Sequence, residues 1–138
     1  MNERVAAAWA VLPDYLAEHV VLSAAAMGLG LALSLILTIA AVRVRAVRVP
    51  ILLFASIVQT IPGLALLALF YPLLLALSAF SASAFGVGFS ALGFLPSLLA
   101  LTLYSMLPVI RNGVTGIVGV DPAIVEAARG VGMTDWQR

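Results

Sequence analysis

The chain of 138 residues contains no cysteine, a single histidine and few charges, which make up 9% of the sequence. Without cysteine, disulfide frameworks, thiol nucleophiles and thiolate metal sites are excluded. One histidine and six scattered carboxylates leave little from which to build a catalytic or metal centre. A net charge of +1 is too small for a nucleic-acid-binding surface. We therefore expect no enzyme, no metal site and no nucleic-acid partner.

Hydrophobic residues, by contrast, make up 64% of the sequence, and long stretches have no charge at all. The first stretch, Val20 to Val42, has 23 residues, enough to cross a hydrocarbon core of about 30 Å as a helix. A second uncharged stretch, Val49 to Ile110, is about three times too long for one crossing and must turn back. These runs predict an integral membrane protein in a lipid bilayer.

The most favourable place for the turn is Ser78 to Gly93, which is rich in serine, glycine and phenylalanine. That leaves a second span near Pro50 to Leu77 and a third near Phe94 to Ile110. The predicted fold is therefore all-α, a polytopic transmembrane helical protein with three spans in this stretch of chain.

Orientation follows from the arginines, since positive charge is retained on the cytoplasmic side. All but one of them fall in two segments, at Arg43, Arg45, Arg48, Arg111, Arg129 and Arg138. We expect both segments to be cytoplasmic, with two crossings between them. The amino-terminal segment, residues 1–19, is then extracytoplasmic or interfacial, with Trp9 and Tyr15 along the outer interface.

The tail contains a readable helix start and stop. Asp121 can cap the first turn, and Pro122 suits the first helical position of a short helix ending at Arg129. Gly130 and Gly132 are expected to end it. Thr134 and Gln137 have the spacing of a capping box, so a second helix should begin there. Because only about one turn of it precedes Arg138, we expect this chain to be a fragment of a longer protein.

That tail resembles a known family. The segment Glu126-Ala127-Ala128-Arg129-Gly130-Val131-Gly132 is similar to the cytoplasmic signature of the membrane permeases of bacterial binding-protein-dependent ABC importers. In that signature three residues separate Glu-Ala-Ala from the following Gly. The surrounding LTLYSMLPVIRNGVTGIVGVDPAIVEAARGVGMTDWQ and the earlier QTIPGLALLAL resemble the subgroup that imports glycine betaine, choline, carnitine and related osmoprotectants. The resemblance runs from about His19 to the end.

The resemblance implies a type I ABC importer permease fold in residues 20–138, cut within the coupling segment and placed in the bacterial inner membrane. Implied partners are two cytoplasmic ATPase subunits, a second permease copy or homologue and an extracytoplasmic substrate-binding protein. This chain would bind no cofactor, with ATP on the partner ATPase. The short tail helix would be the coupling helix, with the ATPase-coupling residues Asp121, Pro122, Glu126, Ala127, Ala128, Gly130 and Gly132.

Polar residues inside the apolar spans are candidates for the transport path. Gln59, Thr60 and Pro62 interrupt the second span, and uncompensated polar groups are unfavourable in lipid. They either line a substrate route or form a proline kink whose freed carbonyl is satisfied by Thr60 or a neighbouring helix. Tyr104 and Ser105 in the third span pose the same choice between path and packing.

Small residues repeat every four positions along the first span, at Ala24, Gly28 and Ala32. They predict a face where another helix packs, within the permease or across a dimer. The predicted function is therefore the permease subunit of an ATP-driven importer for quaternary ammonium osmoprotectants. Two alternatives remain open: the same architecture with an amino acid or sulfonate as cargo, and a small helical channel or scaffold without an ATPase.

Overall fold

The computed structural model describes residues 3–134 and residue 137, and it contains five helices and no strand within those residues. The helices are α1 (Glu3–Arg43), α2 (Arg45–Thr60), α3 (Gly63–Phe85), α4 (Phe94–Val118) and α5 (Pro122–Gly130). Three stretches are long and apolar enough to cross a membrane: Val5–Arg43 within α1, and the whole of α3 and α4. The all-α class and the three spans are confirmed.

Helices α1 and α4 form the main packed pair and run parallel. The Thr102 hydroxyl of α4 donates to the carbonyl oxygen of Ala26 at 3.5 Å, and the Ser34 hydroxyl of α1 donates to that of Met106 at 3.4 Å. Later residues of α1 therefore meet later residues of α4. Arg43 and Arg111 consequently lie towards the same end of the bundle, as expected if two crossings separate the arginine-bearing segments.

Close approach of α1 and α4 depends on small residues. The buried side of α1 is formed by Ala26, Gly30, Ser34, Thr38 and Ala41. A Cβ atom added to Gly30 would collide with the Ser105 hydroxyl, and one added to Gly113 would lie 2.8 Å from Cγ2 of Thr38. In lipid, such small residues let two helix backbones come close enough for dispersion contacts and interhelical hydrogen bonds.

The corner between α1 and α2 is fixed by an arginine. Nε of Arg48 donates to the carbonyl oxygen of Ala41 at 3.0 Å, and its Nη2 donates to that of Val42 at 3.5 Å. Carbonyls in the last turn of a helix lack an intrahelical partner, so a cation there is stabilising. With the corner fixed, α2 packs back along α1 and α4, around a core of Ala41, Ala55, Met106, Leu107, Ile110 and Val114.

The predicted second span, Pro50 to Leu77, is divided in the structure. Helix α2 ends at Thr60, and α3 begins at Gly63 after the extended Ile61 and Pro62. Proline disfavours helical backbone in the residue before it and cannot donate to the helix ladder, so the break falls there. At 16 residues, about 24 Å, α2 alone is too short to cross the hydrocarbon core.

The predicted turn, Ser78 to Gly93, was too long, because α3 continues to Phe85. The serines do not break the helix, and two of them, Ser78 and Ser81, bond to the loop that follows it. The Ser78 hydroxyl donates to the carbonyl oxygen of Phe89 at 2.6 Å and accepts from its amide at 2.9 Å. Gly86, with a φ of 73°, ends the helix in the left-handed conformation. The connection is residues 86–93 only.

Two further boundaries differ from those expected. Helix α4 extends past Ile110 to Val118. Helix α1 begins at Glu3, and its 41 residues are about 60 Å long, roughly twice the thickness of a hydrocarbon core. Residues 3–19 therefore continue the first span as helix, and the outer or interfacial location expected for the segment 1–19 remains a prediction.

Candidate functional site

The tail helix α5 begins as the sequence predicts. Oδ1 of Asp121 accepts a hydrogen bond from the amide of Ala123 at 2.8 Å, and Pro122 occupies the first turn. An aspartate in this position satisfies an amide that has no intrahelical partner, and proline loses nothing there because its missing N–H would be unpaired. The amino-terminal end of α5 is thus fixed by its own sequence.

The carboxyl-terminal end of α5 is closed by a glycine-dependent motif. The Met133 amide donates to the carbonyl oxygen of Ala128, and the Gly132 amide donates to that of Arg129, both at 3.0 Å. This Schellman arrangement needs a left-handed residue, and Gly132 provides it with a φ of 82°. Gly130 is instead the last helical residue, so the expectation that both glycines end the helix was wrong for Gly130.

Part of the predicted capping box is present beyond α5. Oε1 of Gln137 accepts from the Thr134 amide at 2.9 Å and from the Thr134 hydroxyl at 3.0 Å. The backbone amide of Gln137 donates to the carbonyl oxygen of Thr134 at 3.0 Å, whereas in a full capping box it would donate to the Thr134 hydroxyl. The expected second helix, and with it Arg138, lies outside the described residues except for Gln137.

Helix α5 packs against no other helix in the described part of the chain. Glu126 and Ala127 are exposed, Val125 and Ala128 are half-buried, and the Ile124 side chain is 63% exposed. A nine-residue helix is marginal in isolation, so its capped ends are what define it. Such a helix offers an apolar stripe (Ile124, Ala127 and Ala128) to another molecule at the end of the bundle that also carries Arg43 and Arg111.

A second group of predicted residues meets at the break between α2 and α3. The Tyr104 hydroxyl donates a hydrogen bond to the carbonyl oxygen of Ile61, the residue left extended by Pro62. Nε2 of Gln59 donates to the carbonyl oxygen of Tyr104 at 3.4 Å. The Thr60 hydroxyl bonds within α2, to the carbonyl oxygen of Ile57 at 2.7 Å. The structure thus joins two candidate segments that the sequence placed on separate spans.

This geometry shows how the broken helix is stabilised. The carbonyl freed by the break is satisfied by a neighbouring helix, one of the two explanations open from sequence. Gln59, Thr60 and Pro62 are exposed in the described chain, so a role in a transport path stays a prediction. Ile61 was missed, because nothing in the sequence indicates which distant donor would reach its carbonyl.

Ser105 does not belong with Tyr104. Its hydroxyl donates to the carbonyl oxygen of Thr102 at 2.8 Å and faces Gly30. The small residues Ala24, Gly28 and Ala32 are exposed, and the stripe that packs against α4 is offset from them by two residues. Their packing against α4 is not observed, while contact with another helix or a second permease remains a prediction.

The amino-terminal part of α1 and the start of α4 border an open cleft of about 670 Å³. Its polar and aromatic lining is Tyr15, Glu18, His19, Phe94 and Ser97. Nothing in the sequence indicates this grouping, because Tyr15 and Phe94 are on different helices. Within residues 3–134 and 137, no group of three or more His, Cys, Asp or Glu side chains could hold a metal ion.

Comparison with known proteins defines the class. Residues 19–138 match the family described as binding-protein-dependent transport system inner membrane component. The chain therefore belongs to that family. No solved structure matches it.

Three similar proteins are named as permease proteins. The chain is 36% identical over 121 residues to the glycine betaine/carnitine/choline transport system permease protein OpuCB of Bacillus subtilis, covering 88% of this chain and 48% of the relative. It is 38% identical over 121 residues to the osmoprotectant import permease protein OsmW of Salmonella typhimurium, covering 88% and 51%. It is 35% identical over 117 residues to the choline transport system permease protein OpuBB of B. subtilis, covering 85% and 46%. The chain spans about half the length of these relatives.

Proposed function

We propose that this chain is the permease, or part of the permease, of an ATP-driven importer for quaternary ammonium osmoprotectants such as glycine betaine, choline and carnitine. The observation that carries the proposal is α5, a helix capped at both ends whose sides are left free by the rest of the described chain. Relatives named as permeases for these compounds support the choice of cargo.

Helix α5 suits the coupling role because it can move as one rigid unit. Asp121 fixes its first turn and Gly132 its last, so a force on one side would displace the whole helix. Cytoplasmic ATPase subunits bind ATP and receive α5 in a groove, and this chain binds no cofactor. The end bearing Arg43 and Arg111 is cytoplasmic, and the amino terminus is outside.

Helix α4 gives the displacement a route into the membrane. Only residues 119–121 separate α4 from α5. Halfway along α4, the Tyr104 hydroxyl is bonded to the break between α2 and α3. A shift of α4 would change that bond, and with it the angle between α2 and α3, so that a path bordered by Gln59, Thr60 and Pro62 alternates between two sides. A second permease and an extracytoplasmic binding protein complete the path.

Cross-linking tests the contact between α5 and the ATPase. Because the chain has no native cysteine, Ile124→Cys provides a single thiol on α5. Ser83→Cys provides a matched thiol near the carboxyl-terminal end of α3, at the end of the bundle away from α5. In inner-membrane vesicles containing the complete importer, a short thiol-to-amine cross-linker should join the ATPase subunit to the first variant only. Equal yields, or a product with Ser83→Cys alone, would contradict the proposal.

Transport by the complete importer in proteoliposomes tests coupling and cargo. We expect Glu126→Gln and Gly132→Ala to lower ATP-dependent uptake of labelled choline while the amount of inserted chain is unchanged. Gly116→Ala is the control, because a Cβ at this glycine of α4 meets nothing within 4 Å. Uptake of an amino acid or sulfonate instead of choline would identify the alternative cargo, and ATP-independent flux would identify a channel.

A further inference from the structure

The cleft between the amino-terminal part of α1 and the start of α4 has the chemistry of a cation site. We propose that Tyr15, Glu18 and Phe94 form an outer binding site for the quaternary ammonium group of the cargo. The identity of the ligand rests on the proposed function, whereas the site itself rests on the cleft. Its volume of about 670 Å³ is within the usual range for small-molecule sites, about 300–1,000 Å³.

A quaternary ammonium ion has no N–H to donate and no lone pair with which to accept. Proteins therefore bind it with the negative faces of aromatic rings and with carboxylates. Tyr15 on α1 and Phe94 on α4 supply two aromatic rings, and Glu18 supplies a carboxylate one turn along α1 from Tyr15. The parallel packing of α1 and α4 brings these three side chains to one cleft.

The aromatic side chains are available to a ligand. Tyr15 is 67% exposed and Phe94 is 52% exposed, so neither is buried in a core. The Ser97 hydroxyl is already bonded to the carbonyl oxygen of Gly93 at 2.9 Å. Among the side chains that the structure describes, no arginine lines the cleft, and the sequence contains no lysine. Within the same described residues, His19 is the one potentially cationic side chain on the lining, and Glu18 lies next to it in sequence.

Binding to the full chain in lipid nanodiscs, measured by isothermal titration calorimetry, tests the site directly. The probe is choline chloride, and the control ligand is 3,3-dimethyl-1-butanol, which has the shape of choline but a carbon in place of the charged nitrogen. We expect choline to bind and the uncharged compound to bind much more weakly. Equal binding of the two ligands, or binding of neither, would overturn the proposal.

Variants then assign the binding to named side chains. Tyr15→Leu and Phe94→Leu should each weaken choline binding roughly two- to fivefold, the effect expected from an exposed cation–π contact. Tyr71→Leu is the aromatic control, because Tyr71 is an exposed aromatic of α3 outside the cleft. All of these side chains are exposed, so helix content by circular dichroism should be unchanged.

The carboxylate is tested in the same way with its own control. Glu18→Gln should weaken choline binding, whereas Asp14→Asn should not, because Asp14 is an exposed carboxylate that does not line the cleft. Equal effects of the two changes would indicate general surface charge and would refute a site.

Uptake by the complete importer separates this proposal from the proposed function. If the unchanged importer transports choline and the three cleft variants leave its KM unaltered, the site is wrong while the function stands. If the nanodisc experiments show binding that depends on the cleft but the importer moves no quaternary ammonium compound, the site stands and the proposed function is wrong.

Discussion

Replacing Gly30 by alanine is the most direct test of the packing between α1 and α4. The added methyl group would collide with the Ser105 hydroxyl and would lie 3.2 Å from the carbonyl oxygen of Thr102, which belongs to the backbone and cannot rotate away. Overpacking of this kind destabilises a folded protein by about 1–3 kcal/mol. We expect α1 and α4 to separate more easily in the variant.

Gly28→Ala is the matched control, two residues earlier on the same helix. A Cβ atom at Gly28 meets nothing within 4 Å. Both substitutions gain the same helix propensity, about 1 kcal/mol for alanine over glycine. The difference in stability between the two variants therefore isolates the packing term, and Gly30→Ala should be the less stable by about 1–3 kcal/mol.

Unfolding in mixed detergent micelles with increasing dodecyl sulfate measures this difference. A donor and an acceptor dye on two introduced cysteines, one on α1 and one on α4, would report the separation of the helices, since the chain has no native thiol. Adding Ser105→Ala to Gly30→Ala should restore part of the lost stability, because it removes the nearest atom. Equal stability of the Gly28 and Gly30 variants would refute the packing described here.

Three further changes have defined outcomes. Tyr104→Phe removes the donor to the Ile61 carbonyl, which should destabilise the break by about 1–3 kcal/mol and broaden spin-label distances between α2 and α3; an unchanged distribution would contradict this. Asp121→Ala should destabilise α5 by about 1 kcal/mol and speed amide exchange in its first turn, whereas Asp121→Asn should preserve the cap. Gly132→Ala should destabilise the end of α5 by about 1–2 kcal/mol, whereas Gly130→Ala should not. Equal rates of amide exchange in the last turn of α5 in the two variants would contradict this assignment.

Sequence features that act locally predicted the structure well. The uncharged runs indicated the spans, because apolar helices are stable in lipid. The arginines indicated which helix ends lie together, because positive charges are retained on one side of the membrane. Asp121 and Pro122 predicted the start of α5, since a cap involves only its own turn. The class and the three spans followed from these features alone.

Features that depend on distant contacts could not be predicted. Pro13, Pro72 and Pro108 lie inside continuous helices, yet Pro62 marks a complete break. Pro62 differs from these prolines because the Tyr104 hydroxyl, on another helix, donates to the carbonyl oxygen of Ile61, the residue before it. The residues from Ser78 to Phe85 have a loop-like composition but are helical, and the Ser78 hydroxyl bonds to the backbone of Phe89 in the following loop, a contact that the composition does not indicate.

Parallel packing of α1 and α4 has a consequence for biogenesis. Helix α1 is synthesised first, but its partner arrives only after the chain has crossed back through α2 and α3. Until then the hydroxyl of Ser34 has no partner on α4 and must bond to a carbonyl of its own helix. Joining of the two helices is thus a late event, and a chain with a damaged contact surface would accumulate inserted but unassembled, open to membrane proteases.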